Sequence, residues 1–210
     1  MLAEIDILRP FGNVPVSTST LKSLLRDFTN PNMKIKHWVD SGVLIPLKRG
    51  LFVISPKITL KEPCLELMSN HIYTPSYVSL HFALRNYGLI PEQTNLITCI
   101  TTNHTRSFEN TFGVFTYHGV SRSYFAIGLT SPTANDCSYL IASPEKALVD
   151  TILFSPYIPV SIVGLERFLE EDLRLDTSEL KQFNIPLLRV CAEQTHKQTI
   201  IQNLITLCQR

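Results

Sequence analysis

Residues 32–55, NMKIKHWVDSGVLIPLKRGLFVIS, place a short basic helix directly before a tight hairpin whose turn, Lys48-Arg49-Gly50, is also basic. A helix that runs into such a hairpin is the sequence mark of a winged helix-turn-helix, whose helix enters a major groove while the hairpin, the wing, touches flanking DNA. On a wheel of about 100° per residue, Ile35, Trp38 and Val39 share one face. The opposite face carries Met33, Lys36, His37 and Asp40, with Lys34 at the edge. The apolar face predicts packing against a neighbouring helix. Lys36 and His37 are then candidates for base edges, and Lys34 for a flanking phosphate. Gly42 predicts the helix C-terminus, and Val43-Leu44-Ile45 and Leu51-Phe52-Val53-Ile54 are β-type runs around a turn where Gly50 supplies a positive φ.

The residues before this stretch complete the motif. Leu21, Leu24, Leu25 and Phe28 stand at i, i+3, i+4 and i+7, an apolar stripe on a helix. Ser17-Thr18-Ser19-Thr20 supplies its N-cap, and hydroxyls not used in capping are candidate donors to phosphate oxygens. Thr29-Asn30-Pro31-Asn32 ends this helix and caps the next. Val14 to Val16 is expected as a short third strand of the wing sheet, and Leu2, Ile5 and Leu8 as the inner face of a first helix.

Charge separates the chain into two parts. Residues 1–60 hold eight Lys/Arg against four Asp/Glu, a net of +4, and residues 61–210 hold eleven against fourteen, a net of −3. Nucleic acid therefore suits the first part better than the second. For any single lysine the plainer reading is a solvated surface charge, and for the whole motif the alternative is a winged helix used to dock another protein. Prolines at Ser55-Pro56-Lys57 and Glu62-Pro63 mark the joint, so the expected domains are residues 1–58 and residues 59–210. At 210 residues, 44% hydrophobic and 18% charged, the composition is that of a globular protein. No run reaches the roughly 18 apolar residues of a spanning helix, and MLAEIDILRPFGN lacks the pattern of a secretory signal, so a cytoplasmic location is expected with no membrane partner. Five scattered cysteines without C-x-x-C spacing read as reduced, buried residues, and six histidines without ligand spacing predict no metal. No cofactor is expected.

The second part reads as α+β, with strands in its first half and helices in its second. A helix is predicted from Tyr77 to Tyr87, stopped by Gly88, and strands at Leu96 to Thr102, Phe112 to Val120, Phe125 to Leu129 and Tyr139 to Ala142. Ser143-Pro144 opens a helix through Phe154, on which Glu145, Lys146 and Asp150 are expected as surface pairs at helical spacing. Further helices are expected at Gly164 to Asp172, Thr177 to Phe183, and Ile185 to Leu207 with a break near Gln194 to Lys197. The fold class is thus α+β: an N-terminal winged helix-turn-helix followed by a larger α+β domain with a small sheet and C-terminal helices.

The blocks LKRGLFVISP, TPSYVSLHFALRNYGLIPE, ITCITTNHTRSF, FGVFTYHGV, FAIG and SPEKALVD occur in this order. Together, from about residue 14 to about residue 155, they resemble the AbiEi-like antitoxins of type IV toxin-antitoxin systems. The resemblance implies a winged helix that binds inverted repeats in double-stranded DNA at its own promoter, and a C-terminal domain that counters a nucleotidyltransferase-like toxin encoded by the adjacent gene. It maps the family's basic wing onto Lys48 and Arg49 and its recognition helix onto Met33 to Asp40. No individual residue for toxin neutralisation transfers. The implied assembly is a monomer or a DNA-induced dimer.

The family's C-terminal domain resembles a nucleotidyltransferase, so catalysis has to be weighed. Such an enzyme needs a Gly-Ser element for a triphosphate and strand-borne carboxylates for Mg²⁺. No glycine here is followed by serine, and Glu170-x-Asp172 lies in the helical stretch LERFLEEDLRLD. Fold analogy without the site does not license the chemistry, and the expectation is a protein that is not an enzyme, with no catalytic residue. The alternative of another class is a stand-alone winged-helix transcriptional regulator with a ligand-sensing or oligomerisation domain.

Overall fold

The computed structural model describes residues 6–91, 96–134 and 136–210. Leu2 and Ile5, expected on the first helix, lie outside the described residues, whereas Leu8 is fully buried. The chain then forms β1 (Val16–Ser17), α1 (Thr18–Leu24), α2 (Pro31–Asp40), β2 (Leu44–Lys48) and β3 (Leu51–Ile54). Local chemistry sets each boundary. Ser17 caps α1 by accepting from the Thr20 amide at 3.1 Å. Asn30 caps α2 by accepting from the Met33 amide at 3.2 Å, with Pro31 in the first turn. Gly50 turns the hairpin at φ 80°.

The three strands pair antiparallel in the order β1-β3-β2, which leaves β2 at an edge where Pro46 is tolerated. Beneath them Leu8, Val16, Leu21, Leu25, Ile35, Trp38, Val43, Leu44 and Ile54 form one core. Leu24, expected within the stripe, is instead 36% exposed in the last turn of the short α1. The hairpin has a second allegiance. Alternation along β3 sends Ile54 to this core and Leu51 and Val53, with Leu47 of β2, to the core of the larger part.

After the turn α3 (Pro56–Thr59), the larger part opens with α4 (Leu65–Ile72), an element the sequence reading omits. It continues through β4 (Ser76–Val78), α5 (Leu80–Asn86), β5 (Leu96–Thr101), β6 (Arg106–Asn110), β7 (Gly113–Gly119) and the helical turn α6 (Arg122–Phe125). Short strands β8 (Leu129–Thr130), β9 (Thr133–Ala134), β10 (Cys137–Ser138) and β11 (Ile141–Ala142) precede α7 (Pro144–Phe154), α8 (Ile162–Arg167), α9 (Ile185–Glu193) and α10 (Gln198–Cys208). Between α8 and α9, Phe168–Asp172 is a π-helical turn and Thr177–Gln182 is a 3₁₀ helix. Three expectations change, the simplest being the strand expected from Tyr139 to Ala142, which is only Ile141–Ala142. Tyr77 and Val78 lie in a strand, because pairing with Ile100 and Cys99 of β5 outweighs the helical pattern, and the helix begins only at Leu80, where the chain turns at φ 58°. Phe125 closes a helical turn capped by Ser121, so the strand expected from Phe125 shrinks to Leu129–Thr130.

The six-stranded sheet runs β6-β7-β5-β4-β11-β8, with parallel pairs at β5/β7 and β4/β11 and antiparallel pairs elsewhere. Central β5, LITCIT, is buried from Ile97 to Thr101, as a strand covered on both faces must be. On one face the Tyr117 hydroxyl donates to the Ser69 carbonyl of α4 at 2.7 Å. On the other, Thr98 Oγ1 donates to the Ser79 carbonyl before α5 at 2.7 Å, and Tyr77 reaches Asp150 of α7. Helices α9 and α10 extend this second layer, so the architecture is α+β with helices on both faces of a mixed sheet.

Candidate nucleic-acid interface

In α2, Ile35 and Trp38 are buried and Val39 is half-buried against the N-terminal core, which turns Met33, Lys36, His37 and Asp40 outward. Met33 is 69% exposed, an unusual position for a long apolar side chain on a helix otherwise polar on that side. Lys34 is half-buried, its ammonium 5.6 Å from the Phe28 ring centre and 5.7 Å from that of Trp38, so its stem lies over the junction between α1 and α2. Lys36 and His37 therefore define the outward face, and Lys34 flanks it.

The cap residues divide in the same way. Ser17 and Thr18 are half-buried: Ser17 Oγ serves the cap, and the Thr18 amide donates to the Gly50 carbonyl at 2.9 Å, fastening the β2–β3 turn to α1. Ser19 and Thr20 are exposed, with hydroxyls 2.6 and 2.9 Å from Ser17 Oγ. At the β2–β3 turn, Arg49 is exposed. Lys48 is half-buried and turns toward the larger part, its ammonium 5.9 Å from the Phe108 ring centre of β6. The nine residues read as candidates thus lie on α2, at the start of α1 and at the β2–β3 turn, with Lys36, His37, Ser19, Thr20 and Arg49 exposed and Lys34, Lys48, Ser17 and Thr18 half-buried.

Lys146 and Asp150, expected on a surface, are instead interior: both side chains are 0% exposed. Lys146 Nζ lies 3.0 Å from Asp150 Oδ1, to which the Tyr124 hydroxyl also donates at 2.5 Å. Asp150 Oδ2 accepts from Ser79 Oγ at 2.6 Å and from the Tyr77 hydroxyl at 3.1 Å. Four donors fill a carboxylate with about four lone-pair sites, which is what makes a buried charge tolerable. The ammonium also sits 2.9 Å from the Tyr124 ring centre. Burial pulls the Lys146 pKa below its ordinary 10.5, against the pull of Asp150. Burial and the Asp150 charge push those of Tyr77 and Tyr124 above 10.0. The cluster pins α7 to β4 and α6.

Tyr124 also lines a cleft of about 580 Å³, with Ser121, Phe154, Gln194, His196 and Lys197 around it. Lys197 Nζ donates to the Ile152 carbonyl at 2.8 Å and to the Ser155 carbonyl at 2.5 Å, closing the C-terminal end of α7. Among the described residues no group of His, Cys, Asp or Glu is arranged to hold a metal ion, and no helix is long and apolar enough to cross a membrane. All five cysteines are buried and unpaired. Glu170 and Asp172 are exposed in the π-helical turn, where no strand holds them together.

No protein-family model matches the chain. Its fold is similar to that in the crystal structure of RV2827C protein from Mycobacterium tuberculosis, with a TM-score of 0.51 and 15% identity over 97% of this chain and 79% of that one. At that identity the likeness concerns the fold alone.

Proposed function

We infer that the N-terminal unit is a winged helix-turn-helix that binds double-stranded DNA, and that the protein is a cytoplasmic antitoxin repressing its own promoter. The observation that carries the DNA reading is the outward face of α2. Lys36 and His37 stand exposed beside Met33, and Arg49 is exposed at the tip of a wing that Thr18 fastens to α1. In the proposed complex α2 lies in a major groove, Lys36 and His37 meet base edges, and Ser19, Thr20, Lys34 and Arg49 hold the backbone. The antitoxin role rests on the resemblance of residues 14–155 to AbiEi-like antitoxins, with a toxin encoded by the adjacent gene as partner. The expectation that the protein is not an enzyme forms part of this proposal.

A stand-alone regulator is the second reading, and the cleft of about 580 Å³ beside Tyr124 is the observation in its favour, since a volume of that size suits a small ligand. Two experiments test the proposal. Footprinting on DNA upstream of the gene is expected to protect an inverted repeat in wild type, and Lys36→Ala or His37→Ala to relax the preference for it. Co-expression is expected to rescue cells from the adjacent gene's product. A harmless neighbour gene contradicts the antitoxin role and leaves the regulator.

A further inference from the structure

The cleft beside Tyr124 has a chemistry as well as a size. Three segments enclose its volume of about 580 Å³: Gly119 and Val120 at the end of β7, the chain from Leu153 to Pro156 at the end of α7, and the connection from Gln194 to Lys197 between α9 and α10. Val120, Leu153 and Phe154 are only half-buried, and part of their apolar surface is left open to the cleft. Two aromatic rings are held in place there. Phe154 packs against the His118 imidazole, with ring centres 4.7 Å apart, and Tyr124 is fixed through its hydroxyl by Asp150. Rings that are already immobilised lose little side-chain entropy on binding, which favours a flat apolar body against them.

The charge around the cleft has one sign. No Asp or Glu lines it, and its basic residues are His196 and Lys197. Lys197 Nζ spends two of its three donors on the Ile152 and Ser155 carbonyls and forms no ion pair among the described residues. Burial lowers the Lys197 pKa, as expected for an ammonium short of a compensating charge. Thr195 Oγ1 accepts from the Lys197 amide at 3.2 Å and keeps its own proton to donate. An anion at this edge supplies the missing charge, and a cation is repelled.

We propose that the cleft binds a small aromatic carboxylate, its ring against Phe154, Leu153 and Val120 and its carboxylate at Lys197 and His196. The proposal rests on the second reading above, in which the cleft is a ligand site, and adds the chemistry of the ligand. A carboxylate fits better than a phosphate ester, because a lysine with one spare donor matches a single negative charge and no arginine lines the cleft to fork onto a phosphate.

The test is calorimetric titration of the full chain with indole-3-acetate, indole-3-acetamide and tryptamine, which carry a negative, a neutral and a positive group on one ring. Indole-3-acetate is expected to bind about tenfold more tightly than the amide, the worth of one charge-assisted hydrogen bond, and tryptamine is expected not to bind. Lys197→Met is expected to erase the difference between acetate and amide, and His196→Ala, at an exposed position, to reduce it. Val120→Trp, which fills the cleft, is expected to abolish binding of both. A thermal melt checks folding, and Pro156→Trp at the exposed rim serves if Val120→Trp fails to fold. Equal affinity for acetate and amide, lost in the filled variant, overturns the anionic ligand and leaves the cleft a site for an uncharged one. Inorganic phosphate that displaces indole-3-acetate at equal concentration shows that the ring contributes nothing and also overturns the proposal. Absence of binding by all three contradicts the proposal and the ligand-site reading together.

Discussion

Lys36 and Asp40 on α2 and Lys146 and Asp150 on α7 have the same spacing, a lysine four residues before an aspartate on a helix, yet they end in opposite places. The first two are exposed and make no ion pair with each other; the second two are fully buried, 3.0 Å apart. Their neighbours decide the difference. Around Lys36 the wheel carries Asn32, Met33 and His37, so the face stays in water. Lys146 and Asp150 are flanked by Val149 and Leu153 on one side and Ala147 and Phe154 on the other, and a helix apolar on all sides goes inside with whatever charges it carries. An i, i+4 pair therefore reports helical geometry and says nothing about solvent. In this molecule the solvated pair belongs to the proposed interface, and the buried pair to the scaffold.

That contrast breaks most visibly at Asp150. Asp150→Ala leaves the Lys146 charge and three hydroxyl donors without their acceptor, and is expected to cost about 3–5 kcal/mol in urea unfolding. Replacing both partners, Lys146→Met with Asp150→Leu, is expected to recover only the part due to the stranded Lys146 charge, since the Tyr77, Ser79 and Tyr124 hydroxyls still lack an acceptor. A loss below about 1 kcal/mol in Asp150→Ala, against that expected range, contradicts the burial described here.

Alkaline pH probes the same cluster. Tyr77 and Tyr124 have folded pKa values raised above 10.0, and Cys99 is raised from 9.0 to about 12. Their stabilising contribution is whole below these ordinary values and is lost as pH rises past them, because the unfolded chain ionises first. Each group withheld from ionisation costs about 1.4 kcal/mol per pH unit. Lys146, shifted down from 10.5, works in the opposite direction. Lys146 and Lys197, both shifted down, oppose a larger number of buried tyrosines and cysteines shifted up, so the urea midpoint is expected to be flat near pH 7 and to fall above pH 9–10, less steeply in Tyr124→Phe.

The effects at the solvated end are smaller. Asn30→Ala removes the cap of α2 and is expected to cost about 1 kcal/mol, with a matching loss of DNA affinity if α2 is the reading helix. Lys36→Ala is expected to change stability by less than about 0.5 kcal/mol while relaxing sequence preference, an outcome read from melting curves and binding selection on the same preparation. A stability loss as large as that of Asp150→Ala would erase the distinction between the two pairs.

The N-terminal unit was legible because its signals are local. Ser17 and Asn30-Pro31 cap helices, Gly42 and Gly50 adopt positive φ where expected, and a 3.6-residue period chooses the buried face of α2. The larger unit was legible where the same signals occur, as at Ser143-Pro144. It failed where distant partners decide. The groups that bury Asp150 come from 73, 71 and 26 residues away, and no local pattern brings them together. Tyr77 and Val78 follow the sheet because β5 stands beside them. Strand β6, RSFEN, has no β-branched residue, and its place beside the β2–β3 hairpin follows only from its pairing with β7. Phe108 meets Lys48 only through that placement.

Affinity measured against salt tests most directly whether α2 and the β2–β3 hairpin read DNA, as proposed. For DNA from upstream of the gene the expected Kd is about 10⁻⁸ M or tighter, roughly 10³-fold or more below that for scrambled DNA. Equal binding to both, in the non-specific range of roughly 10⁻⁴ to 10⁻⁶ M, contradicts it and makes the exposed face of α2 a surface for docking another protein.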